Sequence, residues 1–243
     1  MNNTGKYEFC IIVPIYNEED NITRLAQTLS EYINKASVET CVLFVNDGSK
    51  DDSLDKMKEA CTEYENFFYI GFESNCGLSA AIKAGIDVAQ SPYVGYIDAD
   101  LQTSPEDFER LLPYRSEFEL VTGIRTGRKD SFGKRLSSKI ANSFRRMMTK
   151  DDAEDTGCPL KVINTTYAKR IPFFTGMHRF LPALILLQKG KVKQLPVRHF
   201  ERIAGKSKFH LWNRLLGPFK DCFAYRWMKK RYINYTIETT NIK

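Results

Sequence analysis

The sequence predicts a three-layer α/β fold in which a mostly parallel sheet lies between two layers of helices. Two observations carry this. Over the first hundred residues, short apolar runs rich in β-branched and aromatic residues alternate with segments of helical spacing, the order that parallel sheets require. Each of these runs also empties into a loop of polar and small residues, at the strand end where open α/β sheets bind ligands. With 243 residues, 42% of them hydrophobic and 27% charged, the chain is long enough for one large globular domain with a full core.

The elements follow in order. Glu8–Pro14 reads as the first strand; Pro14 lacks an N–H and belongs at its end, which leaves Tyr16, Asn17 and Glu18 in a loop. Ile22, Leu25, Leu29 and Ile33 are spaced for a helix over Asn21–Lys35. Cys41–Val45 is the second strand and runs into Asn46-Asp47-Gly48-Ser49. Gly48 permits a tight turn, Ser49 or Asp51 can cap the next helix, and Asp47 stands where a carboxylate can accept hydrogen bonds from a base or ribose. Phe67–Phe72 is the third strand, followed by Asn75–Gly85, whose small residues let a helix approach the sheet and a ligand closely. No Gly-x-Gly-x-x-Gly follows the first strand, so the dinucleotide-binding fingerprint is absent.

The central strand begins at Tyr93 and runs into Asp98, Asp100 and Gln102. Oxygens spaced at i, i+2 and i+4 beyond a strand end can converge on a hard divalent ion, Mg²⁺ or Mn²⁺, which suits a diphosphate. Thr103-Ser104-Pro105-Glu106 also reads as a helix start, so an acidic turn before a helix is the competing reading. In the second half, Leu120–Gly123 is a short strand and Gly133–Met148 a basic helix carrying Lys134, Arg135, Lys139, Arg145 and Arg146. The last three are expected on a solvated face. Asp151–Lys161 reads as an acidic loop, Phe180–Gln188 as a helix, Lys191–His199 as a strand and Arg202–Lys208 as a polar loop. The final segment, Phe209–Tyr232, mixes Trp212, Phe219, Phe223 and Trp227 with Lys and Arg.

A formal net charge of +6 fits a partner bearing phosphates: a nucleotide, a lipid phosphate or an anionic membrane surface. Nucleic acid is not expected, since the basic residues form no recognisable binding motif. Neither a signal peptide nor a membrane-spanning run of about 20 apolar residues is expected. The six cysteines contain no Cys-x-x-Cys pair, so free thiols in a reducing cytosol are expected and zinc is not.

Four pieces in this order, Pro14-Ile15-Tyr16-Asn17-Glu18, Asn46-Asp47-Gly48-Ser49, Asn75–Gly85 and Asp98-Ala99-Asp100-Leu101-Gln102, resemble family-2 inverting glycosyltransferases of the GT-A fold. Four more narrow the likeness: Val121–Arg125, Asp155–Leu160, His178–Leu184 and Arg202–Lys208 resemble polyprenyl-phosphate glycosyltransferases, the dolichol-phosphate mannose synthase group. Thr156-Gly157-Cys158 stands where that group usually has Ser-Gly-Phe. The resemblance implies a catalytic domain over residues 1–208 and leaves 209–243 as a basic amphipathic segment, either lying on a membrane surface or packed on the domain or a partner.

The implied reaction moves a sugar from a GDP- or UDP-linked donor to a polyprenyl phosphate, on the cytoplasmic face of a membrane. Pro14, Tyr16, Glu18, Asp47 and Asp98 would form the nucleotide-sugar pocket, and Asp98, Asp100 and Gln102 would hold Mg²⁺ or Mn²⁺. Arg125, Lys134, Arg135, Ser138 and Arg202 would bind the acceptor phosphate, with Asp100, Asp155 and Arg125 catalytic. Asp155 is open to three readings: it orients the acceptor, acts as a base, or caps its own loop. His178 and Arg179 could face the acceptor. A saccharide acceptor, or a non-catalytic subunit serving a separate membrane protein, are the alternatives.

Overall fold

The computed structural model describes residues 4–126, 142–200, 216–235 and 238–239. Among these residues seven strands form one sheet in the order β3-β2-β1-β4-β6-β5-β7: β1 Phe9–Ile15, β2 Thr40–Asn46, β3 Phe67–Gly71, β4 Tyr93–Tyr96, β5 Leu120–Arg125, β6 Lys161–Asn164 and β7 Val192–Val197. All neighbours pair in parallel except β6, which runs antiparallel to both β4 and β5. The expected three-layer, mostly parallel fold is therefore the fold observed.

The helices are α1 Glu19–Ile33, α2 Ser53–Glu63, α3 Leu78–Val88, α4 Phe108–Leu111, α5 over residues 142–149, α6 Thr165–Lys169, α7 Leu181–Leu187 and α8 Leu216–Arg231. The alternating side chains of the sheet feed two cores. Phe9, Ile11, Val42, Phe44 and Val162 meet α1, α2 and α4 on one face. Cys10, Ile12, Val94, Tyr96 and Ile163 meet α3, α6, α7 and α8 on the other. On α1 the residues that reach the core are Ile22, Leu25, Ala26, Leu29 and Tyr32, the stripe expected from its spacing.

Pro14 lies one residue inside β1 rather than at its end. It is tolerated because the β1–β4 pairing stops at Ile12, while Ile97 donates to the Ile12 carbonyl and closes the ladder. In a parallel ladder, residues two apart face the same neighbour, so the N–H that Pro14 lacks would point past the end of β4. Gly95 in β4 is required by packing: a Cβ there would come within 2.3 Å of the Phe9 ring, which stands edge-on to Phe108.

Two parts of the second half depart from expectation. β6 starts on Lys161, the last residue of the expected acidic loop, and covers residues for which no strand was expected; it is four residues long. Arg145, expected on a solvated face, is buried, and its guanidinium binds both carboxylate oxygens of Asp151 and the Ala153 carbonyl. The acidic loop thus supplies its counter-ion. From the C-terminal segment, α8 sends Cys222 and Tyr225 into the α3-side core, and the Tyr225 hydroxyl donates to the Ala183 carbonyl at 3.1 Å. Among the described residues, no helix is long and apolar enough to cross a membrane.

Candidate active site

β1 and β2 end side by side, with Ile15 opposite Asn46, so the loops that follow leave the sheet together. They are stitched reciprocally. Asn17 N–H donates to Ser49 Oγ at 3.0 Å, and Lys50 N–H donates back to Asn17 Oδ1 at 2.8 Å. Glu18 N–H donates to Ser53 Oγ at 2.8 Å, Glu19 N–H to Asp51 Oδ2 at 3.2 Å and Asp52 N–H to Glu19 Oε2 at 2.9 Å. The amides at the starts of α1 and α2, which have no partner within their helices, are thus satisfied by side chains of the other loop. This fixes Tyr16 and Glu18 at the mouth of the sheet, where the Glu18 carboxylate accepts from Asn21 Nδ2 at 2.7 Å.

Asp47 is buried, and its position is set by the loop before α3. Cys76 N–H donates to its Oδ1 at 2.7 Å, Gly77 N–H to its Oδ2 at 2.9 Å, and Asn75 Nδ2 to the same Oδ2 at 2.8 Å. Burial raises its pKa, and the Cys76 and Gly77 bonds work against that rise. The sequence left this carboxylate open for a base or ribose; in the structure the amides ahead of α3 reach it. Gly48 makes that approach possible, since its φ is +65° and a Cβ would lie 2.3 Å from the Ser74 carbonyl carbon.

β4 ends at Tyr96, and Asp98 and Asp100 follow it, both half-buried. Leu101 turns the chain with a φ of 55°, and Gln102 N–H donates to Asp100 Oδ1 at 3.1 Å. Gln102 then pairs with Phe200, accepting its N–H at 2.9 Å, and its side-chain amide turns toward the Phe200 carbonyl 3.5 Å away. Among the described residues, no three His, Cys, Asp or Glu side chains gather as a metal cage. The donor set that remains, two carboxylates past a strand end, fits Mg²⁺ or Mn²⁺, which keep much of their coordination for water and phosphate oxygens. The turn Pro105–Asp107, which follows this segment, is also tied to the chain leaving β7: Arg198 donates to Asp107 through its N–H at 2.6 Å and its Nε at 3.0 Å. Arg202 follows four residues later and lies outside the described residues, as do Lys134, Arg135 and Ser138.

Arg125, the last residue of β5, meets Asp155 in a two-pronged pair, Nε to Oδ2 and Nη2 to Oδ1, each at 2.8 Å. The Arg125 amide adds a third bond to Oδ2 at 3.1 Å. Burial pushes the Asp155 pKa up, but the hydrogen bonds and charge of Arg125 outweigh it and hold the carboxyl below its usual range. Burial likewise opposes the charge on Arg125, and Asp155 overcomes it. Gly157 makes room, since a Cβ there would stand 2.9 Å from Arg125 Nη2.

His178 is neutral, with burial pushing its pKa down to about 3. Ser79 Oγ accepts the Gly176 N–H at 2.9 Å and shares a hydrogen bond with His178 Nδ1 at 2.9 Å. His178 therefore ties the 177–179 turn to α3. The site also contains a residue that was not foreseen: Lys161, fully buried at the start of β6, with its ammonium bonded to the Cys158 carbonyl. Its signal in the sequence was a lysine opening the otherwise apolar Val162-Ile163.

A seven-stranded, mostly parallel sheet with two carboxylates beyond its central strand defines the class as the GT-A, nucleotide-diphospho-sugar transferase, fold. The chain belongs to Glycosyl transferase family 2, whose family model matches residues 10–174. It is 30% identical over 208 residues to dodecaprenyl-phosphate galacturonate synthase of Rhizobium johnstonii, covering 83% of this chain and 62% of that protein. Against undecaprenyl-phosphate 4-deoxy-4-formamido-L-arabinose transferase of Salmonella paratyphi B, identity is 32% over 210 residues, covering 82% and 62%. The chain thus spans about three-fifths of the length of these relatives. Among solved structures, glucosyl-3-phosphoglycerate synthase from Mycobacterium tuberculosis, in complex with Mg²⁺ and uridine diphosphate, superposes with a TM-score of 0.66 at 14% identity, over 92% of this chain and 79% of that one. S. aureus TarS in complex with UDP-GlcNAc gives 0.61 at 17% identity, over 92% and 70%.

Proposed function

We propose that this protein transfers a sugar from a GDP- or UDP-linked donor to a polyprenyl phosphate, using Mg²⁺ or Mn²⁺ held by Asp98 and Asp100. The observation that carries the reading is this pair of half-buried carboxylates beyond β4, beside the stitched loops of β1 and β2. A divalent cation bound there would neutralise the departing nucleoside diphosphate. Pro14, Tyr16 and Glu18 line the nucleotide pocket, and Asp47 shapes it by holding residues 75–77. Gln102 positions Asp100 through its backbone.

A lipid phosphate is ionised at neutral pH, so the acceptor needs a cationic clamp more than a base. Arg125 supplies part of that clamp, joined by Lys134, Arg135, Ser138 and Arg202. Asp155 serves as the counter-ion that aims Arg125, a role in keeping with its lowered pKa. A saccharide hydroxyl would need a base, and a carboxylate engaged on both oxygens is a poor one. The acceptor class brings the enzyme to the cytoplasmic face of a membrane, where α8 meets the lipid surface.

The test is an assay with GDP- and UDP-sugars, Mg²⁺ or Mn²⁺ and a short polyprenyl phosphate. The expected result is metal-dependent release of nucleoside diphosphate that requires the lipid phosphate. Asp100→Ala should lower turnover at least about a hundredfold with the fold intact. Full activity in that variant or in excess chelator overturns the metal assignment, and transfer to a saccharide without the lipid overturns the acceptor.

A further inference from the structure

Lys161 is 0% exposed, an unusual state for a lysine, whose ammonium loses its hydration on burial. Its Nζ donates to the Cys158 carbonyl and stands 5.6 Å from the centre of the Tyr96 ring, two contacts that suit a cation. Lys161 and Tyr96 face one another across the antiparallel β4–β6 pair, so both side chains project from the same face of the sheet. Tyr96 is the last residue of β4, and Asp98 follows two residues later. Across the β5–β6 pair Lys161 faces Thr122, whose Oγ1 is buried without a hydrogen-bond partner among the described residues. Burial pushes the lysine pKa down, while Cys158, Asp155 and Asp98 push back. Arg125, paired with Asp155, adds to the downward push. The hydrogen-bond partner of Lys161 is a neutral carbonyl, so its charge is not cancelled in that bond, and Asp98 is among the charges that act on it.

We propose that Lys161 is the electrostatic floor of the carboxylate site: its ammonium offsets part of the charge of Asp98 and Asp100 and so limits how tightly they hold a divalent cation. Lys161 is a positioning residue in this scheme, because it acts through the carboxylates and touches no substrate. A cation held only moderately can leave with the product diphosphate, and a site without this floor would retain it. The inference rests on the metal reading above.

The experiment titrates the full chain with Mn²⁺ and follows free Mn²⁺ by electron paramagnetic resonance, with and without UDP or GDP and with no turnover. Lys161→Met should bind Mn²⁺ at least about threefold more tightly than the wild type, since a nearby positive charge has been removed. Lys161→Arg, which keeps the charge, should match the wild type. A lysine that served only to brace the 158–161 turn would, on removal, loosen the site and weaken Mn²⁺. Unchanged or weaker binding by Lys161→Met, with a native circular dichroism spectrum, therefore overturns the proposal. Should that variant fail to fold, Lys161→Gln keeps a donor to the Cys158 carbonyl and gives the same comparison. If the wild type takes up no Mn²⁺ with either UDP or GDP, the metal reading itself falls and this inference with it. Binding by the wild type without tightening in the variant sinks the inference alone.

Discussion

At the scale of single residues, the Arg125–Asp155 pair is the part of the site whose energetics can be read most directly. Both side chains are largely buried, at 17% and 11% exposure, and each satisfies the other. Because the folded-state pKa of Asp155 is depressed, the pair contributes stability that is fully present above the ordinary carboxylate range and is lost as pH falls through the lowered value. Asp155→Asn should destabilise the protein by on the order of 3 kcal/mol at neutral pH, because it leaves a buried guanidinium without its counter-ion. The same variant should flatten the loss of stability below about pH 4. Urea denaturation at pH 7 and at pH 3.5 measures both effects. A variant as stable as the wild type at pH 7, or one with the wild-type acid slope, would show that Arg125 finds another partner.

At the scale of elements, function depends on loops that hold one another. Gly48 is the tightest point: its φ is +65°, and the backbone of Ser74 and Asn75 lies against it. Gly48→Ala should cost at least about 1 kcal/mol from the left-handed backbone alone, and more from the clash. It should raise the KM for the donor at least severalfold while sparing kcat, because the loop carrying Asp47 and residues 75–77 must shift. An unchanged KM would separate this turn from the nucleotide pocket. The first-half loops were legible in the sequence because strand–helix alternation and turn chemistry are local signals. What they bond to was not. Asp47 looked open until the amides ahead of α3 were seen to reach it across 29 residues of chain. β6 hid because four residues beginning with Lys161 carry no strand periodicity, and its pairing comes from β4 and β5. Arg145 looked like a surface charge because its partner Asp151 belongs to a turn rather than to the helical pattern.

At the scale of the whole molecule, α8 has two opposed faces. Cys222 and Tyr225 point into the α3-side core, while Phe219, Phe223 and Trp227, spaced one turn apart, are 48%, 53% and 66% exposed. Phe144 of α5 stacks on Phe219 at 4.8 Å, and Met147, three residues on in α5, is 66% exposed. Lys220, Arg226, Lys230 and Arg231 flank or interleave with the aromatic stripe and are exposed. Aromatic rings bordered by cations match the headgroup boundary of an anionic bilayer, and a helix anchored by its other face would lie flat there. Each basic residue near such a surface contributes about 1 kcal/mol. The protein should therefore float with anionic vesicles at low salt, stay free of zwitterionic ones, and be released by high salt. Lys220→Ala with Lys230→Ala should weaken retention by about 2 kcal/mol, roughly thirtyfold. Trp227→Ala should lower binding to anionic vesicles without changing its salt dependence, because it removes apolar contact and no charge. Neither change should affect the Asp98–Asp100 site, so donor hydrolysis in detergent should stay at the wild-type rate. If the intact protein ignores anionic vesicles at low salt, the exposed face of α8 does not read lipid, and a protein partner covers it instead.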